Sequence, residues 1–94
     1  MARVSKRQLL DTVARKSHIT KKAAEEVVEV FLNEIGRSLS KGDEVLLSGF
    51  GKFRVEWMEG KTVKIPNTEK MVTIKRHRAP RFTAGKKLKR QAAR

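Results

Sequence analysis

The chain has no cysteine and no tyrosine, and it contains only two prolines, one tryptophan and four phenylalanines. Without cysteine there is neither a disulfide framework nor a thiolate metal site, which fits a reducing compartment. No apolar run approaches the roughly 20 residues of a membrane span, and the N-terminus lacks the apolar core of a signal peptide. A cytoplasmic location is therefore expected. Catalysis has little to draw on: no cysteine nucleophile, no histidine with a plausible carboxylate partner, no phosphate-cradling glycine loop after a strand. His18 and His77 stand alone, with no second ligand at metal spacing, and are read as surface residues. No catalytic residue, cofactor, metal or small-molecule substrate is expected.

Negative charge is also scarce, and unevenly so. Residues 1–50 carry nine Lys or Arg against seven Asp or Glu; residues 51–94 carry fourteen against three. Almost all of the net +13 therefore lies in the second half. Such a split points to a half that folds and assembles joined to a half that meets a polyanion. At 94 residues the chain is read as one domain, 1–94, near the size at which an isolated core stabilises only weakly.

The order of elements follows from caps and periods. Ser5 precedes Gln8 at the capping-box spacing, flanked by Val4 and Leu9 as a hydrophobic staple, so a helix starts there. Its apolar stripe, Leu9, Leu10, Val13 and Ala14, ends near Lys16. Thr20 is a second N-cap candidate. Ala24, Val27, Val28, Phe31, Leu32, Ile35 and Leu39 then mark one face of a helix of about 20 residues, stopped by Gly42. That stripe is broader than the first helix can cover, which predicts a partner subunit. Lys21 and Lys22, in the first turn, are read as solvated.

From Glu44 the period becomes two. Val45, Leu46 and Leu47 lead into Ser48-Gly49-Phe50-Gly51, where the glycines allow a tight reversal and Phe50 turns inward. Phe53, Val55 and Trp57 then alternate with Lys52, Arg54 and Glu56. Ala79-Pro80 is expected to end the last strand, because proline cannot donate to a ladder. Thr83 is expected to cap a short final helix from Ala84 to about Ala92. Phe31, Leu32, Ile35, Leu47, Phe50, Phe53 and Phe82 form the predicted core, shared between two chains.

Between these lies the most informative stretch, WMEGKTVKIPNTEKMVTIKRHR, residues 57–78. Two extended runs, with Val63 and Ile65 in one and Met71, Val72 and Ile74 in the other, meet at Pro66-Asn67-Thr68. Proline fixes its φ and asparagine tolerates the left-handed region, so the centre is a turn and the whole a hairpin. Lys61, Lys64, Lys70, Lys75, Arg76 and Arg78, with Arg54 at the root, carry too much charge to be buried. A two-stranded ribbon without a covering layer is marginal alone. The hairpin is accordingly read as an arm that stays loose until something anionic and grooved receives it. Trp57, at its root, is expected to pack rather than to stack on bases.

These motifs, taken in order, resemble the HU and integration host factor family of bacterial histone-like proteins. The likeness rests on Gly49-Phe50-Gly51-Lys52-Phe53, a lone proline at the arm tip, Ala79-Pro80-Arg81-Phe82 and Ala84-Gly85-Lys86-Lys87-Leu88-Lys89. It implies an α+β fold, with two N-terminal helices and a short C-terminal helix as the base of an intertwined dimer. A three-stranded antiparallel sheet would extend into a β-hairpin arm. It implies a nucleoid-associated protein that binds double-stranded DNA through the minor groove with little sequence preference and bends or compacts it. Pro66 matches the intercalating wedge, Lys61 and Lys64 the basic arm positions, and Lys6, Lys86 and Lys89 the flank on which bent DNA lies. Ile65, Asn67, Lys70, Lys75, Arg76 and Arg78 complete the expected contact set.

Five positions depart from the family pattern. Lys64-Ile65 replaces the usual Arg-Asn before the tip, Glu69 stands where a glycine commonly closes it, and Met58 and Glu59 lie where the ascending strand is often more basic. Ile65 beside Pro66 would enlarge the wedge. Three rival readings remain: a sequence-preferring subunit like integration host factor, with a paralogue as heterodimer partner; a basic RNA-binding or ribosome-associated protein; and a structural protein whose arms mediate protein assembly.

Overall fold

The computed structural model describes residues 2–93. They form α1 (Lys6–Ser17), α2 (Lys21–Ser40), β1 (Val45–Leu47), β2 (Gly51–Met58), β3 (Lys61–Lys64), β4 (Met71–Ile74), β5 (His77–Ala84) and α3 (Lys86–Ala92). The fold is α+β, as the residue pattern implied. Two compact units can be distinguished, one ending at Arg37 and the other beginning at Ser38.

The helix boundaries sit where side chains satisfy orphan backbone groups. Ser5 accepts from the Gln8 amide while the Gln8 side chain accepts from the Ser5 amide, completing the capping box. At the other end of α1, His18 adopts the left-handed conformation (φ 58°), and the amides of His18 and Ile19 donate to the carbonyls of Arg15 and Ala14. This is the Schellman arrangement, with histidine in the position that glycine usually takes. Thr20 caps α2 by accepting from the Ala23 amide at 3.0 Å. Gly42 (φ 85°) ends it, with the amides of Gly42 and Asp43 donating to Leu39 and Ser38.

In the second unit β1, β2 and β5 form an antiparallel sheet in that order, and β3 pairs β4 in a separate two-stranded sheet. The reversal after β1 is a turn closed by the Phe50 amide on the Leu47 carbonyl at 2.9 Å, with Gly49 at φ 82° in its third position. Only Gly49 supplies the positive φ. Gly51 is small for another reason: a Cβ there would stand 2.5 Å from the Phe82 ring and 2.7 Å from the Thr83 carbonyl.

Two expectations near the C-terminus are corrected. Pro80 does not end the last strand; it lies inside β5, opposite Val55. Because β5 is an edge of its sheet, a position lacking an N–H can be tolerated there. Thr83 does not cap the final helix but belongs to β5, and α3 begins only at Lys86 with Gly85 as N-cap and no side-chain cap bond.

The described residues of one chain bury very little apolar surface. Ala14 and Ala24 are the buried apolar residues, and no large side chain is fully enclosed. Phe82 lies 4.8 Å from Phe53 and 5.7 Å from Phe50, ring centre to ring centre, making a small aromatic cluster on one side of the sheet. Even so, Phe50 and Phe82 are 46% and 43% exposed, so Phe50 is not turned into an interior within the chain. On α2, Phe31 and Leu32 are half exposed, and Val27 and Val30 more than half. Among the described residues no helix is long and apolar enough to cross a membrane.

Candidate nucleic-acid interface

The hairpin keeps one register from base to tip. Gly51 to Met58 pair with Ala84 to His77, and after two skipped residues on each side Lys61 to Lys64 pair with Ile74 to Met71. β1 pairs only as far as Phe53, so the ribbon is already two strands wide at Trp57, opposite Arg78, and its ladder then breaks before Lys61. What interrupts the ladder is the Glu59-Gly60 and Lys75-Arg76 joint. A Cβ on Gly60 would lie 2.7 Å from the Ile74 carbonyl oxygen and 3.1 Å from the Arg76 amide, so the two backbones meet where only glycine fits.

At the far end the turn closes without a second glycine. The Ile65 amide donates to the Lys70 carbonyl at 3.0 Å, and the Thr68 amide donates to the Ile65 carbonyl at 3.2 Å. Pro66 occupies the second position and Asn67, at φ 64°, the third, the residue preferences of a type II turn. Thr68 tightens it twice: its hydroxyl donates to the Ile65 carbonyl at 2.9 Å and accepts from the Lys70 amide at 3.2 Å. Glu69, where the family commonly has glycine, needs no positive φ, because Asn67 supplies it and Thr68 holds the turn closed. Ile65 is 37% exposed and Pro66 is exposed beside it, which leaves an apolar tip bordered by polar side chains.

The cations sort by whether the chain already neutralises them. Lys61, Lys64, Lys70 and Lys75 are exposed and, among the described residues, have no ion-pair partner. The same holds for Lys86 and Lys89 on α3. Lys6, by contrast, pairs with Glu29. Arg76 approaches Glu59 at 3.8 Å and lies 4.4 Å over the Trp57 ring, so Trp57 packs within its own chain while staying 54% exposed. Arg78 donates to the Ser40 carbonyl at 3.2 Å, at the C-terminal end of α2. Arg54 is half-buried, and its Nη1 is enclosed with no hydrogen-bond partner among the described residues. Lys21 is not merely solvated; it reaches Asp11 at 3.1 Å.

The two faces of β2 differ accordingly. Phe53, Val55 and Trp57 point one way. Lys52, Arg54, Glu56 and Met58 point the other, as strand alternation requires. Sequence reasoning passed over Arg81 and Lys52, both on the charged face. Arg81 donates to Glu56 at 2.9 Å and contacts the Met58 sulfur at 3.2 Å, while Lys52 pairs with Glu44 at 3.2 Å. Their two-residue spacing from Arg54 and Thr83 was the available signal.

The ribbon thus presents an apolar tip with unneutralised lysines on both its ascending and descending sides, a surface complementary to anions. Comparison with known proteins bears on which anions. The family model described as bacterial DNA-binding protein matches residues 4–93. DNA-binding protein HU-alpha of Aeromonas hydrophila is 41% identical over 86 residues, covering 92% of this chain and 96% of that protein. Integration host factor subunit alpha of Buchnera aphidicola is 36% identical, over 92% of this chain and 84% of its own length. The cocrystal structure of Anabaena HU with DNA superposes with a TM-score of 0.88 at 36% identity, covering 96% of this chain and 98% of the other.

Proposed function

This chain belongs to the bacterial DNA-binding protein family, and we propose that it is an architectural, histone-like protein that binds duplex DNA through the minor groove and bends it. The observation that carries this reading is the tip itself. Ile65 and Pro66 stand exposed at the end of a ribbon two strands wide, with Lys61, Lys64 and Lys70 close behind. Minor-groove architectural proteins, HU among them, open a base step with an apolar wedge at a cost of a few kcal/mol. Proline suits the purpose because it is rigid and brings no N–H to leave unpaired. Ile65 would widen the wedge, and Asn67 holds it in position through the left-handed turn.

Contacts behind the tip offset the deformation. Lys61, Lys64, Lys70 and Lys75 would meet phosphates along the arm, and the bent flanks would come onto Lys86, Lys89 and Lys6. Lys6, Arg76 and Arg78 already hold intrachain acceptors, so each joins by sharing or exchanging one. Arg54 has no partner at Nη1, but that atom is enclosed, so its side chain would have to turn outward to meet a phosphate. Low sequence preference follows, since the minor groove offers a degenerate code and the arm holds few side chains suited to reading base edges.

The working unit is a dimer of identical chains forming one DNA-binding module over residues 1–94. In its support, Phe31, Leu32, Phe50 and Phe82 stay 43% to 52% exposed in one chain, more apolar surface than a monomer usually leaves open. With Ile35, Leu47 and Phe53 they would make the shared core. No catalytic step and no cofactor is part of this reading, and the protein would act in the cytoplasm on the nucleoid.

The test is a duplex labelled at both ends. Binding should shorten the end-to-end distance, and Pro66→Ala should restore most of that distance while retaining measurable affinity. Binding by the unaltered protein that leaves the ends unmoved would refute bending. A large affinity ratio between one site and random duplex at fixed salt would favour the sequence-preferring subunit, and equal displacement by structured RNA the RNA-binding alternative.

A further inference from the structure

The joint between sheet and ribbon carries a cluster whose contacts form within the free chain. On the ascending side Trp57 ends the apolar face of β2, and Glu59 lies two residues on. Arg76, on the descending side, is the residue just before β5. Its guanidinium centres 4.4 Å over the indole and its Nε approaches Glu59 at 3.8 Å. One side chain thus bridges the skipped residues, held by a ring on the sheet side and a carboxylate within the joint. The joint needs such a tie: it interrupts the ladder on both strands, and Gly60 lets the backbones close to a separation that excludes a Cβ. His77 adds a local bond, its Nδ1 lying 2.9 Å from the Lys75 carbonyl oxygen, but this links neighbours on one strand only.

We infer that Trp57 and Glu59 are positioning residues: by gripping Arg76 across the joint they fix the direction in which the arm leaves the sheet, so that the tip reaches DNA already oriented. The inference rests on the proposed DNA-binding reading only for its consequence. The grip itself is a property of the free protein. A pre-set arm has less freedom to lose on binding, and that loss opposes affinity. An exposed cation–π contact of this kind is worth about a two- to fivefold change in an equilibrium constant.

The test uses the full chain with Trp57→Ala, Trp57→Phe and Glu59→Gln. Amide 15N relaxation of the free proteins should show residues 61–74 more mobile in Trp57→Ala and Glu59→Gln, with residues 45–58 and 77–84 unchanged. Trp57→Phe, which keeps a π face, should recover part of the rigidity. On labelled duplex, Trp57→Ala should bind about two- to fivefold more weakly, through a slower association rate. Equal mobility of the arm in all four proteins would overturn the inference. Should Trp57→Ala disrupt the sheet instead, Glu59→Gln, which leaves the ring in place, decides on its own. A protein that binds no DNA would end the proposed function, while the relaxation data would still judge the grip.

Discussion

Replacing Lys61, Lys64, Lys70 and Lys75 together by glutamine isolates the electrostatic part of the proposal. These four are exposed and lack ion-pair partners among the described residues. A phosphate that meets one of them displaces a counterion without first breaking a salt bridge. Each such contact contributes about −0.9 to the slope of log K against log salt, so one arm should account for about −3.6 and two arms for about −7. Between 50 and 200 mM salt, a change of about 0.6 in log salt, the unaltered protein should lose about two decades of affinity more than the variant if one arm is engaged, and about four if both are. The size of the difference therefore counts arms. Fluorescence anisotropy on a labelled random duplex, titrated at several salt concentrations, gives the slope directly. The matched control replaces Arg15, Lys16, Lys22 and Lys41 by glutamine, which are equally exposed but lie in the half with little net charge. A fall in slope smaller than about one unit, or an equal fall in the control, would refute the assignment of DNA contact to the arm.

Two further outcomes concern the base. Gly51→Ala forces a Cβ against Phe82 and the Thr83 carbonyl, an overpacking that should cost about 1–3 kcal/mol. At about 4–8 °C per kcal/mol for a domain of this size, calorimetry should register a clear drop in melting temperature, and an unchanged one would mean that the aromatic cluster yields more freely than its geometry suggests. If a second chain covers Phe31 and Leu32, the melting temperature should fall on dilution, and Phe31→Asp should give the mass of one chain in sedimentation equilibrium. A concentration-independent melting temperature with a single-chain mass for the unaltered protein would remove the dimer.

Where a feature depends on near neighbours in the chain, the sequence disclosed it. The capping box at Ser5 and Gln8, the Thr20 cap, the Gly42 stop and the turn at Pro66-Asn67 each involve residues within a few positions of one another, and each is present. Reading failed at Pro80 because the rule against proline in a strand holds for central strands, and whether β5 is an edge is a fact about sheet order. It failed at Thr83 for a related reason. A threonine just before a run of helix-forming residues looks like a cap, but pairing with Lys52 keeps it in the ladder.

The candidate site was legible as a set of residue types and not as a set of states. Lysines along the arm could be read directly, but which cations are already neutralised depends on register. Arg81 meets Glu56 because Arg54 stands opposite Arg81, placing Glu56 one diagonal step away. Arg76 meets both Trp57 and Glu59 because the ladder skips the same number of residues on each side and so keeps its faces aligned through the joint. A linear count gives all these cations equal weight. Along the ribbon the folded chain leaves Lys61, Lys64, Lys70 and Lys75 open toward solvent, while Arg76, Arg78 and Arg81 hold partners within the chain. That division fits the chemistry of the two side chains. A planar guanidinium stacks on a ring and forks toward carboxylates, whereas a flexible ammonium follows a phosphate backbone as a point charge. An arm that must be fixed at its root and adaptable along its length therefore has reason to carry arginine at the joint and lysine beyond it.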